Sequence, residues 1–171
     1  MIPIPNPNLP LQSQDLVVLL AMMAWGEFRS EAPETVLAGL CVPLNRTQPA
    51  LWRPEYGPCD LRSILLHPSQ FSCFGQNDPN YHKLLAPLIS EGVIGAKAWE
   101  KCYTAAYVQS NSFKDYTARA TFYFLKGEEP EWTKQLQQTG EWGGPPFGLR
   151  VSTFWRYPDI PLDITEDLLG G

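Results

Sequence analysis

Positive charge is scarce in this sequence. Its 13 lysines and arginines face 18 aspartates and glutamates, the net charge is −5, and no basic run occurs. A nucleic-acid ligand asks for a positive footprint, so no nucleic-acid partner is expected. Long-range steering towards an anionic polymer is missing too, and binding one would rest on short-range contacts. Histidine and cysteine are also few, at two and four residues. Cys59, His67, Cys73 and His82 lie near one another, but their gaps do not match the paired short spacings of zinc sites. Nothing places Cys73 or His82 at a helix N-terminus, as an activated Cys–His nucleophile would ask. No glycine-rich phosphate loop or dinucleotide fingerprint occurs. Neither a metal nor a cofactor is therefore expected. The longest apolar run, residues 16–25, falls short of the roughly 20 residues that cross a bilayer, so no membrane span is expected. The opening MIPIPNPNLP has no positive n-region and four prolines, unlike a signal peptide. Synthesis in the cytoplasm with reduced thiols is the expectation.

What is abundant is proline, with 17 residues, and tryptophan, with six. The prolines point to many irregular connections, and the tryptophans to core packing or flat faces for stacking on a ligand. A chain of 171 residues is long enough for one sizeable core. Residues 1–12 read as an extended proline-rich arm and 13–171 as a single domain. Ser13 or Asp15 can cap a helix over about 15–28 that is apolar all round and so central. Pro33 and Glu34 open a second helix towards Asn45, with a kink or early end expected at Pro43. Cys41 has the helical phase of a core residue. A short helix over 60–66 opens at Asp60, QFSCFGQNDPN is turn-rich, and residues 96–110 have helical period, with Cys102 in packing. TARATFYF (117–124) alternates and suggests a strand, PEWTKQLQQ a short helix, TGEWGGPPFG a loop, and LRVSTFWRY a strand pairing with the first. The fold class is mainly α with a small β-sheet, α+β.

One carboxylate stands out. Glu27 follows ten apolar residues at the end of the first helix, beside Gly26 and between Trp25 and Phe28. Helix ends commonly carry a glutamate, and a structural role would explain it. Glycoside cleavage, however, needs a proton donor for the leaving oxygen, and a carboxyl in an apolar pocket suits that role. A conventional hydrolase also needs a second acid. Glu31 lies one turn on, but Ser30 and Pro33 turn the chain there. Glu34 reads as a first-turn residue and Asp60 as an N-cap. No second acid is persuasive.

GEFRSEAPETVLAGLCVPLNR (26–46) resembles, without a gap, the opening motif of the SleB-type cell-wall hydrolases, roughly GEARGEPYEGQVAVAAVVLNR. CDLRSILLHPSQFSCF (59–74) is similar to that family's CDVI…PGQFSCW, and DYTARATFYF (115–124) to a segment like DPTGGATYYHN. The blocks keep the family's order and span most of 15–156. The resemblance implies a lysozyme-like domain acting on peptidoglycan glycan strands, with Glu27 as the catalytic acid. It also implies that Gln70, Phe71 and Ser72 (the QFS of the second block) and Tyr123 belong to the substrate groove, where Gln70 and Ser72 could hydrogen-bond the glycan or, equally, hold a structural turn. There are departures: Phe124-Leu125 replaces a His-Asn pair, Ala118-Arg119 replaces paired glycines, and Pro43 replaces a β-branched residue.

A single glutamate can protonate the glycosidic oxygen and then serve as base towards the muramic 6-hydroxyl. That intramolecular attack gives a 1,6-anhydro end, as in a lytic transglycosylase. A hydrolysing lysozyme is the alternative, and so is a non-catalytic glycan-binding or virion protein of the same fold. A leaderless wall-degrading chain suits a bacteriophage lysin, either released through a holin or carried in the virion.

Overall fold

The computed structural model describes residues 2–53, 56–68, 70–143 and 150–159. Six helices come first: α1 (Leu16–Phe28), α2 (Pro33–Arg46), α3 (Leu61–Leu66), α4 (Tyr81–Leu84), α5 (Pro87–Ser90) and α6 (Gly92–Asn111). Three strands follow, β1 (Phe122–Leu125), β2 (Gln137–Gly143) and β3 (Val151–Arg156). They form one antiparallel sheet in the order β1-β3-β2. The architecture is α+β. Among the described residues no helix is long and apolar enough to cross a membrane.

The central helix forms where its sequence demands. Asp15 caps it, its carboxylate accepting from the Val17 and Val18 N–H groups at 2.9 and 3.1 Å. Every residue from Val18 to Trp25 is buried, so α1 has no solvent face. Full burial of Leu19, Leu20, Met22 and Met23 contributes about 1.5–3 kcal/mol each. The helices α6 and α2 flank α1 and close the main core around it. The N-terminal arm lies against this body. The Trp99 indole donates to the Pro3 carbonyl at 2.9 Å, and the Gln14 amide bonds Asn6 and Leu9.

The helix α2 continues through Pro43 to Arg46 rather than ending early. Its last turn is held from outside, which offsets the hydrogen bond that proline removes. Asn45 Nδ2 donates to the Ala120 carbonyl at 2.9 Å and Arg46 Nε to the Thr121 carbonyl at 2.7 Å. These two bonds latch the helical half onto the sheet. A small cluster of Ala38, Val42, Ala120 and Phe154 closes the same seam.

Three expectations for the C-terminal half need correction. The strand expected over 117–124 begins only at Phe122. The Asp115 carboxylate accepts from the Thr117 N–H, the Thr117 hydroxyl and the Arg119 N–H, and it folds 115–119 into a loop. Ala118 and Arg119 there adopt φ of 50° and 65°. The helix expected at PEWTKQLQQ is a 3-10 turn over Glu131–Gln135. Residues 139–143 of the expected loop belong to β2, which pairs with β3 from Gln137↔Arg156 to Gly143↔Val151. Residues 144–148 of that loop lie outside the described residues.

Candidate active site

A cavity of about 780 Å³ opens between the end of α1, the residues Pro68, Gln70 and Ser72, and the sheet. Glu27 lines it and is the only carboxylate that does so among the described residues. Glu27 stands in the last turn of α1, half-buried, with its flanking Phe28 ring turned inward. Phe28 meets the Tyr123 ring at 4.9 Å between centroids. This contact needs Gly39, because a Cβ there would fall 2.4 Å from the Phe28 ring.

Two groups stand at the carboxylate. The Cys73 N–H donates to Glu27 Oε1 at 3.4 Å, and the Tyr123 hydroxyl lies near enough to feel the Glu27 charge. Burial, and then the Glu27 charge beside it, push the Tyr123 hydroxyl well above its ordinary pKa, so it remains a donor. Burial also raises the Cys73 thiol well above its ordinary value, with Glu27 adding to the effect. The approach of Cys73 explains Gly26. A Cβ on Gly26 would sit 2.6 Å from Cys73 Cβ and 2.8 Å from its Sγ.

The structure brings Glu27, Gln70, Ser72 and Tyr123 to one cavity. It does not bring Phe71 there. Phe71 is 2% exposed and belongs to the main core. Its extended backbone (φ −127°, ψ 105°) turns its side chain away from the face that Gln70 and Ser72 share. Glu31 also stands apart. It is 7% exposed and does not line the cavity, and the Lys101 ammonium donates to its backbone carbonyl. Asp60 caps α3, accepting from the Ser63 N–H at 2.9 Å, and Glu34 sits in the first turn of α2.

Much of the remaining wall is aromatic: Trp52, Tyr56, Phe122, Trp132 and Tyr157. Trp132 is 46% exposed at this wall, a flat face open to a ligand ring. Of the other tryptophans, Trp25 and Trp99 are core. Reading the sequence did not single out these wall aromatics, which come from a loop, a strand end and a 3-10 turn that meet only in the fold. It also gave no role to Arg46, although that residue closes the LNR triplet of the first motif. Arg46 lines the cavity, and burial lowers its pKa to about 10.

The wall offers one acid, two arginines, hydrogen-bonding side chains and aromatic faces. Among the described residues no cluster of three or more His, Cys, Asp or Glu could hold a metal ion. Comparisons with family models, curated proteins and solved structures gave no significant match.

Proposed function

We propose that this chain is a lysozyme-like enzyme that cleaves the glycan strand of peptidoglycan between its muramic and glucosamine residues. Glu27 is its single acid and base, as in SleB-type cell-wall hydrolases, and the product is a 1,6-anhydro-muramyl end. The observation that carries this reading is Glu27 lining a large cavity as the only carboxylate among the described residues. Glu27 gives its proton to the bridging oxygen, and the bond to the muramic C1 breaks. The carboxylate then takes the proton of the muramic 6-hydroxyl as that oxygen bonds to C1. The acid is regenerated, no activated water is needed, and the attacking group is already tethered. The chemistry asks for no cofactor. Gln70 and Ser72 supply hydrogen bonds along the glycan, while the Cys73 N–H orients the acid.

A hydrolysing lysozyme would need a second carboxylate to activate water, and Glu31, the nearest in sequence, lies outside the cavity. A glycan-binding protein without activity is favoured only by the departures at Phe124-Leu125 and Ala118-Arg119. Digestion of purified peptidoglycan followed by mass spectrometry of the fragments separates the three. Anhydro-muramyl ends that disappear with Glu27→Gln establish the transglycosylase. Reducing ends mean hydrolysis, and retained binding without products means a binding module.

A further inference from the structure

Arg46 is the one cation of the cavity wall that the fold buries almost completely. It is 4% exposed, and its guanidinium is enclosed by rings, with Trp52, Phe71 and Phe122 centroids 4.7, 5.3 and 5.4 Å away. Its Nε is used, donating to the Thr121 carbonyl, but its Nη1 has no partner among the described residues. No ion pair to Arg46 occurs among them either. Arg53, the other arginine of the wall, meets Asp159 at 3.6 Å and lies over the Tyr157 ring.

A cation withdrawn from water and given rings but no anion carries a large desolvation cost. Aromatic faces recover only part of it. A carboxylate of the ligand, reaching the guanidinium from the cavity that Arg46 lines, would supply the missing charge. The guanidinium edge matches that planar group better than a neutral amide or hydroxyl. Within a glycan strand of alternating glucosamine and muramic residues, hydroxyls and acetamido groups are neutral. The sugar-borne anion is the lactyl carboxylate of muramic acid. It is free only where no peptide is attached, since a stem peptide converts it to an amide.

We propose that Arg46 binds this free lactyl carboxylate, so that the cavity selects peptide-free glycan over peptide-bearing glycan. The assignment rests on the glycan-cleaving reading above. It places a muramic residue in the cavity that Glu27 lines, and its charge is read by a residue other than the acid.

The test uses the full chain carrying Glu27→Gln, which binds without turnover. Three soluble ligands are compared: peptide-free glycan strands, the same strands with their lactyl groups methyl-esterified, and peptide-bearing strands. The free acid should bind about tenfold or more tighter than either other form, and Arg46→Gln in the same background should bind acid and ester alike. Should Arg46→Gln fail to fold, the acid–ester comparison on the unaltered arginine still decides. Equal affinity for acid and ester overturns the proposal. Peptide-bearing strands binding as tightly as the free acid overturn it too, by moving the recognised anion into the peptide. Cleavage by the wild-type chain is measured separately. Cleavage without discrimination sinks this inference alone, and discrimination without cleavage sinks only the enzymatic reading.

Discussion

Alanine at position 26 sets two effects of opposite sign against each other. Helix propensity alone predicts a gain, since Gly→Ala in a helix interior is worth about 1 kcal/mol. Packing predicts a loss. The new methyl would meet Cys73 Cβ at 2.6 Å, Cys73 Sγ at 2.8 Å and Leu84 Cδ2 at 3.3 Å. The first of these is fixed close to the backbone and cannot rotate away, so relief requires the 72–74 turn to move off α1. Overpacking of this kind costs about 1–3 kcal/mol, and the nearest contact places this site towards the upper end. The net expectation is a loss of about 1–2 kcal/mol, lowering Tm by about 2–8 °C for a chain of this size. The same displacement draws the Cys73 N–H away from Glu27, so glycan cleavage should fall in protein that is still folded at the assay temperature. Thermal unfolding followed by circular dichroism, beside a cleavage assay, measures both. A Gly26→Ala protein as stable as wild type, or more stable, would refute the close approach and with it the reason for a glycine before the acid.

Ala118→Gly should stabilise the protein by about 0.5–1 kcal/mol in denaturant titrations, because φ of 50° is costly for an L side chain and free for glycine. A lower midpoint would count against the left-handed loop. Glu31→Gln should leave glycan cleavage within a few-fold of wild type while Glu27→Gln abolishes it, and comparable losses in both would break the single-acid reading. Burial pushes the Cys41 and Cys102 thiols up to about 12. The folded state therefore keeps protons that the unfolded chain releases above about pH 9, and the stability present below that pH drains away as pH rises towards 12. The slope should approach 1 kcal/mol per thiol between pH 9 and 10, and a flat stability over that unit would contradict the burial. Lastly, a protein of net charge −5 meets an anionic wall polymer against a repulsion that salt screens. Cleavage of peptide-free strands should rise between about 10 and 150 mM salt, as the Debye length shrinks from about 30 to 8 Å. A fall over that range would indicate a steering patch that the composition does not contain.

The elements legible in the sequence were those whose cause is local. Ten apolar residues behind an aspartate cap define α1, and Pro33 with Glu34 defines the start of α2. The strand β2 was not legible because QQTGEWG has no apolar alternation and, beside Thr139 and Trp142, two glycines and polar residues that are poor strand formers. It is a strand because β3 lies beside it, with an irregularity between Gln138 and Gly140. Alternation misled at 117–121, where one carboxylate, Asp115, organises a loop that no hydrophobic pattern reveals. At the site, Glu27, Gln70, Ser72 and Tyr123 could be placed from motif spacing. Phe71 could not, since a triplet in extended backbone sends its middle side chain to the opposite side. The left-handed φ at Ala118 and Arg119 was not legible either, since neither residue is of the type that adopts such φ freely.

The site also shows why one residue type is needed at the seam between the two halves of the chain. Helices supply Glu27 and Arg46, while the sheet side supplies Phe122, Tyr123 and Tyr157. Arg46 works on both sides at once. Its Nε latches α2 to the Thr121 carbonyl, and the same residue lines the cavity. The guanidinium is a rigid plane, so the bond that fixes the fold also fixes how the group stands at the cavity wall. A lysine has its donors on one rotating ammonium and could not hold the latch in so fixed a direction. It would also bring a more strongly hydrated charge into the ring of Trp52, Phe71 and Phe122. Arg46→Lys would thus keep the charge and lose the geometry. A residue that looks from its burial like part of the core also lines the cavity, and that double placement is what the proposed carboxylate contact uses.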